Sequence, residues 1–173
     1  FPDGRTYEAP VGTPVEHYFQ TAVGEPEVPF IAALVNGELR ELSYKLWTDA
    51  SVEPLFLSES DGIRIYRRSL SFLLITVIRE LFPESYIFVD HSLPFGGFFC
   101  EVGGRKPFDE DELAQIEDRM HEIVDKDFSI RRERVSLDQA VKMFRERGEN
   151  DKAKLLARRE REDIKLYNLR DSR

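Results

Sequence analysis

The stretch "SLSFLLITVIRELF", residues 69–82, constrains this chain more than any other. Leu70, Leu73, Leu74, Val77, Ile78 and Leu81 recur at the helical period, and Phe72, Ile75 and Phe82 widen the apolar stripe nearly all round. A helix apolar on most sides has to be covered on most sides, so it belongs between the layers of a folded core. Pro83 ends it, because the residue before a proline is pushed out of the helical region. The run falls short of the roughly 18–20 apolar residues that span a bilayer, and polar sequence follows it, so no membrane partner is expected. Two adjacent cations, Arg67 and Arg68, stand at the entrance of this helix. They are either a solvated helix start or an anion site.

With 41 % hydrophobic and 34 % charged residues in 173, the chain has the composition of a folded, charge-rich protein and enough length for one good core or two small ones. Cys100 is the only cysteine, which excludes an internal disulfide. With no signal-peptide pattern at the start, a reducing, cytoplasmic location is expected. The net charge of −8 is unevenly spread. Residues 1–60 carry three Lys/Arg against ten Asp/Glu, and residues 109–127 carry two against nine. Residues 129–170 reverse the balance, with thirteen bases and eight acids. Phosphate contacts dominate nucleic-acid affinity, so an acidic chain is a poor general binder, but its basic last third keeps a local contact open.

Residues 1–60 read as strand, strand, helix and three strands, a β-grasp pattern. "FPDGRTYEAP" predicts a hairpin about Asp3-Gly4, and Thr13, Pro14 and Glu16 predict a capping box opening a helix through Val15, Tyr18, Phe19 and Ala22. Asn36-Gly37 in "ALVNGELREL" is a hairpin turn, and "SVEPLFL" a closing strand. "SESDGI", residues 58–63, reads as a linker. Beyond the apolar helix, "SYIFVDHS" and "GFFCEV" are strand-like. Asp109 and Glu112 predict a capping box for a helix bearing Leu113, Ile116, Met120, Ile123 and Val124. "FSIRRERV" is a strand. Ser136 and Gln139 cap a further helix that stops at Gly148, and "NDKAKLLARRERED" reads as a charged helix. The first strand has little before Phe1, and "IKLYNL" alternates like a strand almost to Arg173, so a piece of a longer protein is expected.

Little in these residues carries chemistry. There is no G-x-x-x-x-G-K-S/T phosphate loop. "GGRK", residues 103–106, is a hairpin tip or a backbone nest holding an anion beside Arg105 and Lys106. His17, His91 and His121 are scattered, whereas a metal site needs converging ligands. His91 and Cys100 lie near one another in the strand pair as half a zinc site at most, and Cys100 otherwise reads as inert packing. The acidic run at 109–112 is explained by the positive end of a helix. In "RRER", Arg132 and Arg134 share one strand face and either hold phosphates or pair with the acidic helix before them. No catalytic or metal-ligating set is expected.

The first sixty residues, through "FPDGRTYEAPVGTPVEHYF" and "AALVNGELRELSYKLWTDASVEPL", resemble a TGS domain, the β-grasp module at the start of threonyl-tRNA synthetases, some GTPases and stringent-response enzymes. Residues 61–173, through "DGIRIYRRSLSFLLITVIRELFP" and "FDEDELAQIEDRMHEIVDKDFSIRRERVSLDQAVKMFRERGENDK", resemble the second N-terminal, editing-type domain of threonyl-tRNA synthetase. The fold this implies is α+β, a TGS domain at 1–60 followed by a synthetase-editing-like domain at 61–173. Editing members carry His-x-x-x-His on the long helix. The resemblance places Arg68 and Phe72 at those two positions, and neither can ligate a metal or act as a base. It therefore implies the fold and argues against deacylase chemistry. It also extends to proteins that join such a region to a C-terminal P-loop kinase similar to uridine kinase. That implies a sensing or positioning role beside the chain's own kinase domain, with ATP and Mg²⁺ used there and no cofactor here. The alternative it leaves is a threonyl-tRNA synthetase-related tRNA-binding or editing (aminoacyl-tRNA deacylase) fragment. The expected site is a groove beneath the long helix lined by Arg68, Phe72, His91 and Cys100, taking a small anionic ligand or RNA.

Overall fold

A computed structural model describes residues 1–24, 26–93, 96–159 and 162–169. Among them the chain is α+β, with five helices and nine strands in four small sheets. It forms two compact units, residues 1–72 and 73–173.

In the first unit, β1 (Thr13–Pro14) pairs antiparallel with β4 (Lys45–Leu46), and β2 (Phe30–Val35) lies between β3 (Glu38–Arg40) and β5 (Val52–Phe56). The Asn36-Gly37 turn forms as its sequence predicts, with φ of 51° and 78° and Val35 opposite Glu38. Asn36 also exchanges two 2.8 Å bonds with the Ser51 backbone, which sets the start of β5 against the same turn. Helix α1 (Val15–Val23) buries Val15 and Phe19 completely. Both pack into a cluster with Ala33, Val35 and Val52, and the Phe19 ring meets Phe1 and Phe30 edge-on at 5.9 and 5.4 Å.

Three local expectations change here. The Asp3-Gly4 turn forms, with the Gly4 N–H donating to Phe1 O at 3.0 Å, but residues 5–10 make no ladder. Arg5 bonds instead to Asp3, the Tyr7 hydroxyl and Ala22 O, and Phe1 packs against the core. The capping box at Thr13 is absent. The Val15 and Glu16 N–H groups donate to Tyr44 O and Leu42 O, so backbone carbonyls near β4 satisfy the start of α1 while the Thr13 hydroxyl donates to Pro10 O. Most of the expected linker is helix, because the 22-residue α2 (Ser60–Leu81) begins at Ser60. Its first turn presses so close to β5 that a Cβ on Gly62 would stand 2.0 Å from Phe56 O, an approach open only to glycine.

In the second unit, Leu73, Val77 and Ile78 of α2 are buried, as are Ile116 and Ile123 of α3 (Glu110–Asp125). The β6 strand (Tyr86–Ser92) pairs antiparallel with β7 (Phe98–Gly103), Val89 opposite Cys100, with a bulge between Val89 and Ser92. The β8 (Ile130–Ser136) and β9 (Asp163–Leu169) strands pair antiparallel along their whole lengths, from Ile130 opposite Leu169 to Ser136 opposite Asp163. Both predicted capping boxes form, Asp109 with Glu112 on α3 and Ser136 with Gln139 on α4 (Leu137–Glu146). Past Glu146 the chain leaves α4 through Gly148 (φ 75°), and the Glu149 N–H reaches back to Phe144 O. The α5 helix (Asn150–Leu156) is shorter than the charge run suggests, and Asp163 at the far end of that run opens β9. Residues 160–161 of the run lie outside the described residues.

Candidate functional site

Arg68 and Phe72 sit one turn apart on one side of α2, in the first unit, with Arg68 exposed and Phe72 half-buried. The two neighbouring serines are used locally, Ser69 donating to Ile65 O at 3.2 Å and Ser71 to Arg67 O at 3.0 Å. This face of the helix offers a cation and an aromatic ring, and neither can take a proton or ligate a metal near neutral pH.

His91 and Cys100 lie in the second unit, on β6 and β7. The His91 ring is exposed, 2.8 Å from an Asp90 carboxylate oxygen, and stacks on Phe99 at 5.3 Å. Phe99 and Cys100 are consecutive in a strand and point to opposite faces, so His91 shares the face of Phe99 and not that of the thiol. The two do not converge as half a metal site. Cys100 is half-buried, and burial pushes its thiol above the ordinary cysteine value, which keeps the nucleophilic thiolate scarce. Among the described residues no three His, Cys, Asp or Glu side chains are grouped to hold a metal ion.

The "GGRK" segment is not a hairpin tip. The β6–β7 turn lies at residues 93–97, of which 94–95 are outside the described residues, and residues 103–106 leave the far end of β7. Arg105 is fully engaged there. Its guanidinium meets both Glu112 carboxylate oxygens at 2.6 Å and lies over the rings of Phe82 and Phe108, at 5.0 and 4.8 Å. Glu112 thus occupies the place an anion would take, and the Arg105 hydrogen bonds hold its carboxyl below the usual carboxylate range.

A further group of cations lies on the last two strands, on α5 and just after it. Arg134 stands directly opposite Lys165, and Arg132 opposite Tyr167, on one face of the β8–β9 ribbon. Arg134 pairs with Asp163 of β9 at 3.0 Å, so its partner is a neighbouring strand residue and not the acidic α3. A groove of about 610 Å³ is lined by the cations Arg134, Lys152, Arg159 and Lys165 and by the apolar Leu155, Leu156 and Ile164, which come from the ribbon, from α5 and from the segment after it. Lys152 lies 5.6 Å from the Phe144 ring centre and pairs with Glu149, which also meets Arg79 at 3.1 Å. The groove unites residues far apart in the chain. The signal for it was the pair of alternating stretches "FSIRRERV" and "IKLYNL", whose registration alone sets Arg134 beside Lys165.

No protein-family profile matches the chain. It is similar to threonine–tRNA ligases. That of Phenylobacterium zucineum is 33 % identical over 156 residues, 90 % of this chain and 24 % of the relative. That of Pelagibacter ubique is 31 % identical over 170 residues, 96 % and 26 %. That of Alkalilimnicola ehrlichii is 32 % identical over 142 residues, 82 % and 22 %. The chain therefore spans about a quarter of the length of the curated relatives it matches, and it is related to threonine–tRNA ligases through both of its units.

Proposed function

We propose that this chain is a threonyl-tRNA synthetase-type accessory region, a TGS-like β-grasp unit followed by an editing-type unit, which binds tRNA without hydrolysing its aminoacyl ester. The observation that carries this reading is the extent of the likeness. Identity of about 30 % runs through 90–96 % of the chain, across both units and not in one shared module. Support for the missing hydrolysis comes from Arg68 and Phe72, which occupy the α2 positions where the resemblance expects two histidines. An exposed guanidinium there suits a phosphate or carboxylate, and it suits no step that needs a base. A partner of this kind fits a cytoplasmic setting. The kinase-linked context, with ATP and Mg²⁺ used by a further domain, draws no support from the three relatives described above, each of which is named as a threonine–tRNA ligase.

Incubation with a mischarged tRNA bearing a labelled amino acid tests the reading. The complex is retained on a filter with its label intact. Release of the label above a protein-free control, or no retention at low salt, overturns it.

A further inference from the structure

Building on that reading, we infer that the groove between α5 and the β8–β9 ribbon is where RNA is held, and that it takes a single strand, its phosphates at the lining cations and its base faces against the exposed apolar side chains beside them. Among the described residues the lining sets four cations, Arg134, Lys152, Arg159 and Lys165, against one acid, Asp163, in a chain whose net charge is −8. Asp163 is already paired with Arg134. Among the described residues, Arg159 and Lys165 have no ion-pair partner. Lys165 faces Arg134 across the ladder, and like charges directly opposite one another weaken a strand pair. Asp163 offsets the Arg134 side of that repulsion, and a phosphate at Lys165 would offset the rest.

The exposed apolar side chains decide which nucleic acid. Leu155 is 66 % exposed beside these cations, and Tyr167, farther along the cationic ribbon face, is 51 % exposed. A duplex hides its base faces in its own stack, whereas a single strand can lay them on apolar and aromatic side chains while its phosphates follow the charges. A volume of about 610 Å³ is of small-ligand size and accommodates a nucleotide or two, not a helix.

The test compares a short single-stranded RNA, the same strand annealed to its complement, and whole tRNA, each titrated with the intact chain. The variants are Lys165→Glu with Arg159→Glu, and the control Lys106→Glu, an exposed charge outside the groove. Circular dichroism confirms that each is folded. The intact chain binds the single strand more tightly than the duplex. The groove variant loses about tenfold or more in affinity for the single strand and for tRNA, and its salt slope falls by about 0.7 for each phosphate it no longer neutralises. The control changes less than about twofold. If the intact chain binds no RNA at low salt, the proposed function fails and takes this inference with it. If tRNA binds and the groove variant matches the control, or the duplex binds as well as the single strand, the function stands and this inference alone is overturned.

Discussion

Arg105 grips both carboxylate oxygens of Glu112 at 2.6 Å while Glu112 also accepts the Asp109 N–H at 3.1 Å, so one carboxylate closes both a capping box and an ion pair. With Phe82 and Phe108 against the guanidinium, this joint ties the exit of β7 to the start of α3. Arg105→Ala is expected to lower the melting temperature more than Glu112→Gln, because glutamine at the third helical position still serves the cap. Lysine in place of Arg105 rescues little, since it cannot make the bidentate bond. Thermal melts of the three variants check this order, and a Glu112→Gln melt below that of Arg105→Ala contradicts it.

The same pair gives a pH dependence. The carboxyl of Glu112 titrates lower in the folded chain than in the unfolded one, chiefly through its Arg105 hydrogen bonds. Its stabilising contribution is therefore present above the ordinary glutamate range and is lost as pH falls through the lowered folded value. Between about pH 5 and pH 3 the intact chain loses more stability than the Glu112→Gln variant does. Parallel losses in the two proteins run against this.

Two glycines answer differently to alanine. At Gly62 a Cβ meets the Phe56 carbonyl oxygen at 2.0 Å, a backbone atom that cannot step aside, and the cost is about 3 kcal/mol or more. At Gly148 the space is open and only the positive φ of 75° opposes a side chain, which costs about 1 kcal/mol. Denaturant midpoints separate the two, and equal losses contradict the packing of α2 on β5.

Much of this was readable from local sequence. Asn36-Gly37, Asp109 with Glu112, and Ser136 with Gln139 each complete their geometry within four residues, and each forms as written. Thr13 failed as a cap because the α1 N–H groups found carbonyls at Leu42 and Tyr44, partners no local pattern reveals. Gly62 looked like linker because the carbonyl it must clear is close in space and belongs to the preceding strand. The cationic groove is legible only in part for the same reason, since the alternation shows two strands but not that Arg134 and Lys165 face each other. Of the four side chains expected to line a site, the sequence showed the chemistry of Arg68 and Phe72, but not that His91 would stack on Phe99 and turn away from Cys100.

Burial raises the Cys100 thiol above its ordinary value, so little thiolate exists at neutral pH. Alkylation by iodoacetamide is expected to run several-fold slower than for a free thiol peptide at about pH 7, and to accelerate only above the usual cysteine range. Rapid labelling near neutrality means an activated thiol and reopens β7 as a site.

Whether this acidic chain binds tRNA is decided by equilibrium binding across a salt series. A complex is expected at about 50 mM salt, its logarithmic affinity falling linearly with the logarithm of salt, with a slope set by the few phosphates the cationic groove can reach. Unchanged tRNA mobility at that low salt, or an affinity indifferent to salt, contradicts it.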